Sequence, residues 1–273
     1  MNVSVIIPTM PGREAMLQRL ISTIPSTYQI VVVHDTDILL AAKRNKGALK
    51  ATGEYLFFVD DDNYLEPGAI EEALEIAELP GVGVVGFMAC YDDKKYSVAD
   101  GGSKRNYLTG FTQGVNTNAH WPTLSKTSYE VDEVANAFMV HCETFYELQG
   151  FDEINFPIDL DEADFCKRAK DKGLKIIMCP EARCYHKSQT YSAMPDFRRP
   201  SNAYFLPRNK LNYQRKHLNV VSYWVHVIVF LPIHICVYTA SLVWRGKFSL
   251  IPHFYSGVID GLFCRRKNKY QKR

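Results

Sequence analysis

The sequence predicts an α/β protein, a Rossmann-like and mostly parallel sheet with helices on both faces, and three observations carry that prediction. Strand-like and helix-like patterns alternate at short intervals from the amino terminus, the order that builds parallel sheets. The strand-like runs are continuously apolar, as strands covered on both faces are. Polar residues (Thr9, Asp35 and Asp60 to Asp62) stand at the carboxyl ends of those runs. That rim is where such sheets form their ligand crevice.

Val3 to Thr9 reads as the first buried strand, stopped by Pro8. Arg13 to Ile24 places Met16, Leu17, Leu20, Ile21 and Ile24 at a helical period,. Gln29 to Val33 is a second strand and Leu39 to Ala51 a second helix, stopped by Gly53. Tyr55 to Val59 is a third strand; Pro67-Gly68 opens a third helix,; and Val82 to Ala89 is a fourth strand. From Cys90 to Tyr129 periodicity fades among Gly, Asn and Thr, and so long a connection is usually functional or made of short strands. Order returns at Val131 to Met139, a short helix spans Glu143 to Leu148, and an acidic helix runs from Asp161 towards Gly173. Leu174 to Met178 is a last strand, followed by Pro180 and His186.

The chain is organised around Tyr55-Leu56-Phe57-Phe58-Val59-Asp60-Asp61-Asp62. Strand alternation would project Asp60 and Asp62 to one side and Asp61 to the other. Two carboxylates there suit Mg²⁺ or Mn²⁺, which take oxygen ligands and share them with a substrate's phosphates. An acidic turn is the plain alternative, and the convergence of three motifs on one rim favours the nucleotide–metal reading. Asp35 is placed to accept hydrogen bonds from a base or ribose. Arg44 is placed to reach a diphosphate, and Lys43 and Lys46 read as a solvated helix face. In the acidic helix, Asp161 suits an N-cap and Asp164 pairs with Arg168 four residues on. One of the adjacent Asp161 and Glu162 can cap while the other faces the crevice as a general base. His186 follows a strand and is a candidate nitrogen ligand for the same cation.

Composition narrows the classes. At 273 residues, 47% hydrophobic, the chain fits one large domain or a domain with an appendage. No Walker-type loop is present, which counts against a kinase or ATPase of that type. The seven cysteines lie scattered in apolar contexts, a pattern of reduced thiols, and Cys179, Cys184 and His186 lack a fourth ligand for zinc. The first apolar run has no basic flank and is broken by Pro8, so it does not read as a signal peptide.

Several of these pieces together resemble the inverting glycosyltransferases of family two, with the GT-A fold. The carrying residues are Ser4 to Thr9, Arg44-Asn45, Phe58 to Asp62, Gly150-Phe151-Asp152-Glu153, the block from Asp161 to Arg168, and Pro180 with His186. Tyr204 followed by Pro207-Arg208-Asn209-Lys210-Leu211 is similar to a stretch of the rhamnosyltransferase-like members. The resemblance implies a nucleotide-diphospho-sugar donor and a glycan or lipid-linked saccharide acceptor. It places Asp35 near the base, Asp60 near the ribose or diphosphate, Asp62 on Mg²⁺ or Mn²⁺, and His186 as a second ligand. Thr9, Arg44 and Asp61 complete the implied donor-binding set. Where the family reads Glu-Asp-x-Asp, this chain reads Asp161-Glu162-Ala163-Asp164, so the base is Asp161 or Glu162, with register on the side of Glu162. The implied GT-A domain is 1–215, with a nucleotide-binding half at about 1–90 and an acceptor-side half at about 130–190. The competing readings are a nucleotidyltransferase and a catalytically silent sugar-binding scaffold on a membrane.

Residues 216–273 read as apolar helices and a basic tail for membrane association. Val220 to Trp244 contains no Asp, Glu, Lys or Arg over 25 residues, long enough to span a bilayer, yet it carries Pro232, His226 and His234. Tyr223, Trp224, Tyr238 and Trp244 resemble an interfacial belt. Residues 245–273 hold eight Lys/Arg against Asp260 alone, or +7, which leaves −5 on 1–244 of the total +2. A single crossing would put that tail on the far side from the catalytic domain, against the positive-inside tendency. In-plane or re-entrant attachment at the cytoplasmic face of a membrane is therefore expected; the alternatives are a true span and a helical pair packed on the domain or in a homodimer. The basic residues form no groove pattern, so nucleic acid is not an expected partner.

Overall fold

The computed structural model describes residues 2–94, 96–186 and 199–263; the basic tail beyond Phe263 lies outside them. These residues divide into two compact units. The first comprises 2–104, 113–153 and 161–186, and the second 105–112, 154–160 and 199–263. This division differs from a boundary at 215/216, because the helix Pro200–His217 lies with the second unit.

In the first unit the elements are β1 (Val3–Pro8), α1 (Glu14–Ile21), β2 (Gln29–Val33), α2 (Leu40–Ala48), β3 (Tyr55–Val59), β4 (Asn63–Leu65), α3 (Ala69–Ala77) and β5 (Val82–Tyr91). Then follow the short strands β6 (Val98–Asp100), β7 (Ser103–Arg105) and β8 (Thr112–Gly114), of which Arg105 and Thr112 are counted with the second unit, and β9 (Tyr129–Glu130). β10 (Ala137–His141), α4 (Cys142–Glu147), α5 (Asp161–Asp171) and β11 (Lys175–His186) complete it. The main sheet runs β2-β1-β3-β10-β5-β11-β4. β1 is parallel to β2 and β3, and β5 is parallel to β11, while β10 runs antiparallel between β3 and β5. This is the α/β architecture read from the alternation.

β3 shows why the reading held. Tyr55, Phe57 and Val59 pack into one core layer, and Leu56 and Phe58 into the other. All five are buried. Fully burying a side chain of this size contributes roughly 1.5–3 kcal/mol, so no register that exposed either face would compete. α2 lies close on the sheet because residue 47 is glycine: a Cβ there would overlap the Ile6 side chain. That approach carries Lys43 and Arg44 into the interior.

One expectation is corrected. The last strand does not stop before Pro180; β11 continues to His186. A register shift between Cys179 and Arg183 takes Pro180 out of the ladder, the kind of position a sheet allows proline. The stretch 90–129 contains short strands, one of the two readings of so long a connection: β6 pairs with β5 and β9 with β11, and Trp121 donates to the Pro180 carbonyl at 2.9 Å.

The second unit is helical: α6 (Pro200–His217), α7 (Val220–Val225), a π-helical turn at His226–Phe230, α8 (Leu231–Trp244) and α9 (Ile251–Leu262). α7, the π turn and α8 make one continuous apolar helix of 25 residues. Pro232 has no N–H to continue the α ladder, and the π turn directly before it absorbs that defect.

Candidate active site

β3 ends at Val59, so Asp60, Asp61 and Asp62 occupy a turn before β4 rather than continuing a strand. Strict alternation therefore does not apply. Asp61 is fully buried, accepting from Thr9 Oγ1 at 2.6 Å and pairing with Arg13. Arg13 also reaches Asp62 Oδ2 at 3.1 Å. Thr9 and Asp61, both in the expected donor-binding set, thus bond to each other inside the fold and hold Arg13 over the turn. Lys43 is also buried and donates to the Thr9 carbonyl at 2.7 Å, which corrects its reading as a solvated residue.

Arg44 departs furthest from expectation. In place of a reach to a diphosphate, its guanidinium is wholly buried and forks between acids from two motifs. It lies 2.6 Å from Asp161 Oδ2, 2.7 Å from Glu162 Oε1 and 3.0 Å from Asp60 Oδ1. The planar fork of arginine suits this shared pairing where a lysine would not. Strand-end acid and acidic helix, a hundred residues apart in the chain, meet on one side chain. Burial, relieved by Arg44 and reinforced by Glu162 and Asp62, pushes the Asp60 carboxyl up to about 6. Burial and the neighbouring Glu162 raise Asp161 well above the carboxylate range. Asp161 is not a solvent-facing cap: its side chain is 0% exposed and its Oδ1 has no hydrogen-bond partner, whereas Glu162 keeps 14% exposure. Asp164 pairs with Arg168 at 2.8 Å, as the i,i+4 spacing predicts.

Asp62 and His186 come together at the other side of the turn, His186 Nε2 lying 3.4 Å from Asp62 Oδ1. The antiparallel register pairs His186 with Asn63, so the bulged extension of β11 delivers the ring to the acids. Although both are largely desolvated, the pair lowers the Asp62 carboxyl and raises the His186 imidazole, each by hydrogen bond and charge. Among the described residues no three His, Cys, Asp or Glu side chains group as a metal site. Two adjacent donors, one oxygen and one nitrogen, still fit a cation that completes its shell with phosphate oxygens.

Asp35 is not drawn to this cluster; it pairs with Lys46 at 2.6 Å and accepts from the Asp37 N–H. Lys46 and that turn lower its carboxyl. Asn45, beside Arg44, makes two 2.9 Å hydrogen bonds with the Phe151 backbone, one to its carbonyl and one from its N–H. That explains why Arg44-Asn45 and Gly150-Phe151 occur in one chain. Sequence reasoning missed Asp100 at the end of β6. Burial raises it to about 6 against the Gly102 N–H it accepts from, and it senses Glu162 and His186. Its one signal was a carboxylate followed by Gly101-Gly102, inside the least periodic stretch.

In the second unit α6 grips the segment leading to α5. Arg208 donates to the Asn155 and Ile154 carbonyls, and Asn209 to those of Ile158 (2.6 Å) and Asp159 (3.0 Å). Asp159 and Leu160 both take left-handed φ, 63° and 64°, a conformation costing roughly 1–2 kcal/mol in a branched residue. That strain stands one residue before Asp161.

A doubly covered α/β sheet with acids and a histidine gathered at strand ends is an architecture that forms its ligand crevice at that rim. The family model described as glycosyl transferase family 2 matches residues 11–127, fewer than half of the chain's residues, and the fold is GT-A. Similar in fold are S. aureus TarS 1–349 in complex with UDP-GlcNAc and the mannosyltransferase PcManGT from Pyrobaculum calidifontis in complex with GDP-Man and Mn²⁺. The first has a TM-score of 0.58 at 16% identity, over 96% of this chain and 81% of that one. The second has 0.53 at 10%, over 97% and 88%. GalNAc-T7 with UDP, GalNAc and Mn²⁺ follows at 0.56 and 12%, over 79% of this chain and 48% of that one, so the chain spans about half of its length. No curated protein matches the sequence. At these identities the likeness is one of fold.

Proposed function

We propose that the protein moves a hexosyl group, with rhamnosyl in that class, from a nucleotide-diphospho-sugar to a hydroxyl of a glycan or lipid-linked saccharide, with inversion. The observation carrying this reading is the single guanidinium of Arg44 joining Asp60 to Asp161 and Glu162, with Asp62 and His186 alongside. Glu162 is the base. It shares the Arg44 fork but keeps 14% exposure, while Asp161 is sealed against the same guanidinium. Glu162 takes the acceptor proton as the acceptor oxygen attacks the anomeric carbon opposite the leaving diphosphate. Arg13, a third exposed and anchored on Asp61, presents positive charge beside Asp62. Asp62 and His186 are the residues that would hold Mg²⁺ or Mn²⁺, whose chemistry is to offset charge on the departing nucleoside diphosphate.

The same reading places the protein at the cytoplasmic face of a membrane, attached in plane through the second unit. Support comes from the helix 220–244, mean hydropathy 2.0, with only 22% of its most apolar window buried. Val221, Trp224, Val225 and Ile228 are exposed at helical spacing, while Tyr223, His226, Leu231 and His234 are buried. An apolar outer stripe over a polar-anchored inner one is the pattern of an interfacial helix.

The test is incubation with a panel of nucleotide-sugars and Mn²⁺, with the products read by NMR. Release of nucleoside diphosphate with an anomer opposite to the donor's supports the proposal. A retained anomer would remove the inverting mechanism, release of sugar 1-phosphate with the nucleoside monophosphoryl group passed on would favour a nucleotidyltransferase, and no turnover of any donor would favour a scaffold.

A further inference from the structure

Within the second unit, residues 105–112 are strapped to the helices by three consecutive carbonyls. Gln214 donates to Tyr107 O at 2.7 Å, the His226 ring meets Leu108 O at 2.9 Å, and His234 Nε2 meets Thr109 O at 2.8 Å. Lys210 Nζ lies 3.2 Å from His234 Nδ1. A carbonyl only accepts, so Nε2 carries the proton given to Thr109 and Nδ1 is left to accept from Lys210. The two histidines that fit poorly in a bilayer-spanning helix therefore have a structural task. They hold a loop that brings Arg105 and Phe111 to face Lys210.

What the strap encloses is a cavity of about 260 Å³. Arg105 and Lys210 both line it, and among the described residues no carboxylate does; its other walls are mostly apolar or aromatic, among them Phe111, Leu206, Val237 and Tyr238. Arg105 is itself 8% exposed, laid over the Tyr213 ring at 4.6 Å. Lys210 stands 5.2 Å from the Phe111 ring and 5.7 Å from that of Tyr238. We propose that this cavity binds the phosphate of an amphiphilic phosphate ester, Arg105 and Lys210 holding the anion and the Phe111–Tyr238 wall holding the first carbons of the chain. The volume is just below that of ordinary small-molecule pockets, right for a phosphate with a short length of chain and too small for a nucleotide-sugar. Val237 and Tyr238 belong to the same 25-residue apolar helix whose outer face is exposed, so a ligand leaving the cavity along that helix continues onto apolar surface. Burial, with Arg105 nearby, holds the Lys210 ammonium down to about 7, and an anion between the two cations restores its charge. Basic pockets among membrane-associated helices recognise lipid phosphates on the same principle.

The site does not depend on the sugar-transfer reading; under that reading its ligand is the phosphate of a lipid-linked acceptor, and otherwise the headgroup of a bilayer lipid. Binding of farnesyl phosphate is measured by isothermal titration on the full chain in EDTA, beside flotation with phosphatidylcholine vesicles with and without phosphatidylglycerol. Lys210→Met and Arg105→Gln are each expected to weaken farnesyl phosphate binding about tenfold or more. Asp62→Asn is expected to leave it unchanged, which separates this site from the donor site. Loss of farnesyl phosphate binding in the variants, with flotation unaltered, supports the proposal and assigns the acceptor phosphate. Loss of phosphatidylglycerol-dependent flotation as well supports it with the bilayer headgroup as a ligand. Wild-type binding by both variants, or no binding of either probe by the native chain, overturns it. Arg105→Gln serves alone should Lys210→Met fail to fold.

Discussion

Replacing Arg44 by methionine removes a wholly buried guanidinium that lies 2.6 Å from Asp161, 2.7 Å from Glu162 and 3.0 Å from Asp60. Breaking a buried ion pair by deleting one partner costs about 3–5 kcal/mol, because the other charge stays uncompensated. Against a domain stability of about 5–15 kcal/mol, Arg44→Met is expected to fold with a much lower urea midpoint. The stranded carboxyls recover part of the loss by taking up protons. Burial already lifts Asp60 to about 6 with Arg44 pulling it down, and lifts Asp161 well above its ordinary value; without the cation both rise further. An acid whose folded pKa exceeds its unfolded one binds more protons when folded, so its stability contribution falls as pH rises through that window. The deficit of the variant is therefore larger at pH 7.5 than at pH 5. Urea melts followed by circular dichroism in EDTA, at both pH values, measure it. A deficit below about 1 kcal/mol, or one equal at the two pH values, would refute the role given to Arg44. Arg44→Lys returns the charge without the fork and is expected to recover only part of the stability.

Three further outcomes follow from the geometry. Asn45→Ala removes both bonds to the Phe151 backbone and leaves its part-buried N–H unpaired, the carbonyl keeping the Glu153 N–H, so the urea midpoint should fall by the equivalent of about 1–3 kcal/mol. Gly257→Ala puts a methyl onto the Tyr204 carbonyl, overlapping its oxygen and 2.9 Å from its carbon; separation of α9 from α6 is expected at a cost of about 1–3 kcal/mol, read as a lower melting temperature. Trp224→Glu with Ile228→Glu places charge on the exposed apolar stripe; vesicle flotation should drop while circular dichroism stays unchanged, and unaltered flotation would remove the in-plane attachment.

The parts of this fold legible in the sequence are those where burial on both faces leaves one arrangement. β3 and its acids could be read because an apolar run ending in Asp60-Asp61-Asp62 admits few alternatives. The direction of β10 could not, since an apolar period of two is the same for parallel and antiparallel neighbours. Pro180 reads as a stop because the bulge that accommodates it is a property of the sheet. Lys43 and Lys46 look equivalent on paper, three residues apart on a polar helix. One points under the sheet rim to the Thr9 carbonyl and the other, exposed, to Asp35. Arg44 was found but given the wrong neighbour, because nothing local says that acids at 60 and at 161–162 will converge on it. Asp100 was invisible for a related reason: β6 is three residues long, too short for periodicity to register.

Under the proposed function, acids distant in sequence serve one nucleotide-sugar and its cation. The most direct measurement is thermal stabilisation of the full chain by a panel of nucleotide-sugars, with and without Mn²⁺, repeated on Asp62→Ala. The account predicts that at least one donor raises the melting temperature only when Mn²⁺ is present, and that Asp62→Ala abolishes the shift. Stabilisation that survives in Asp62→Ala, or that needs no cation, would contradict it.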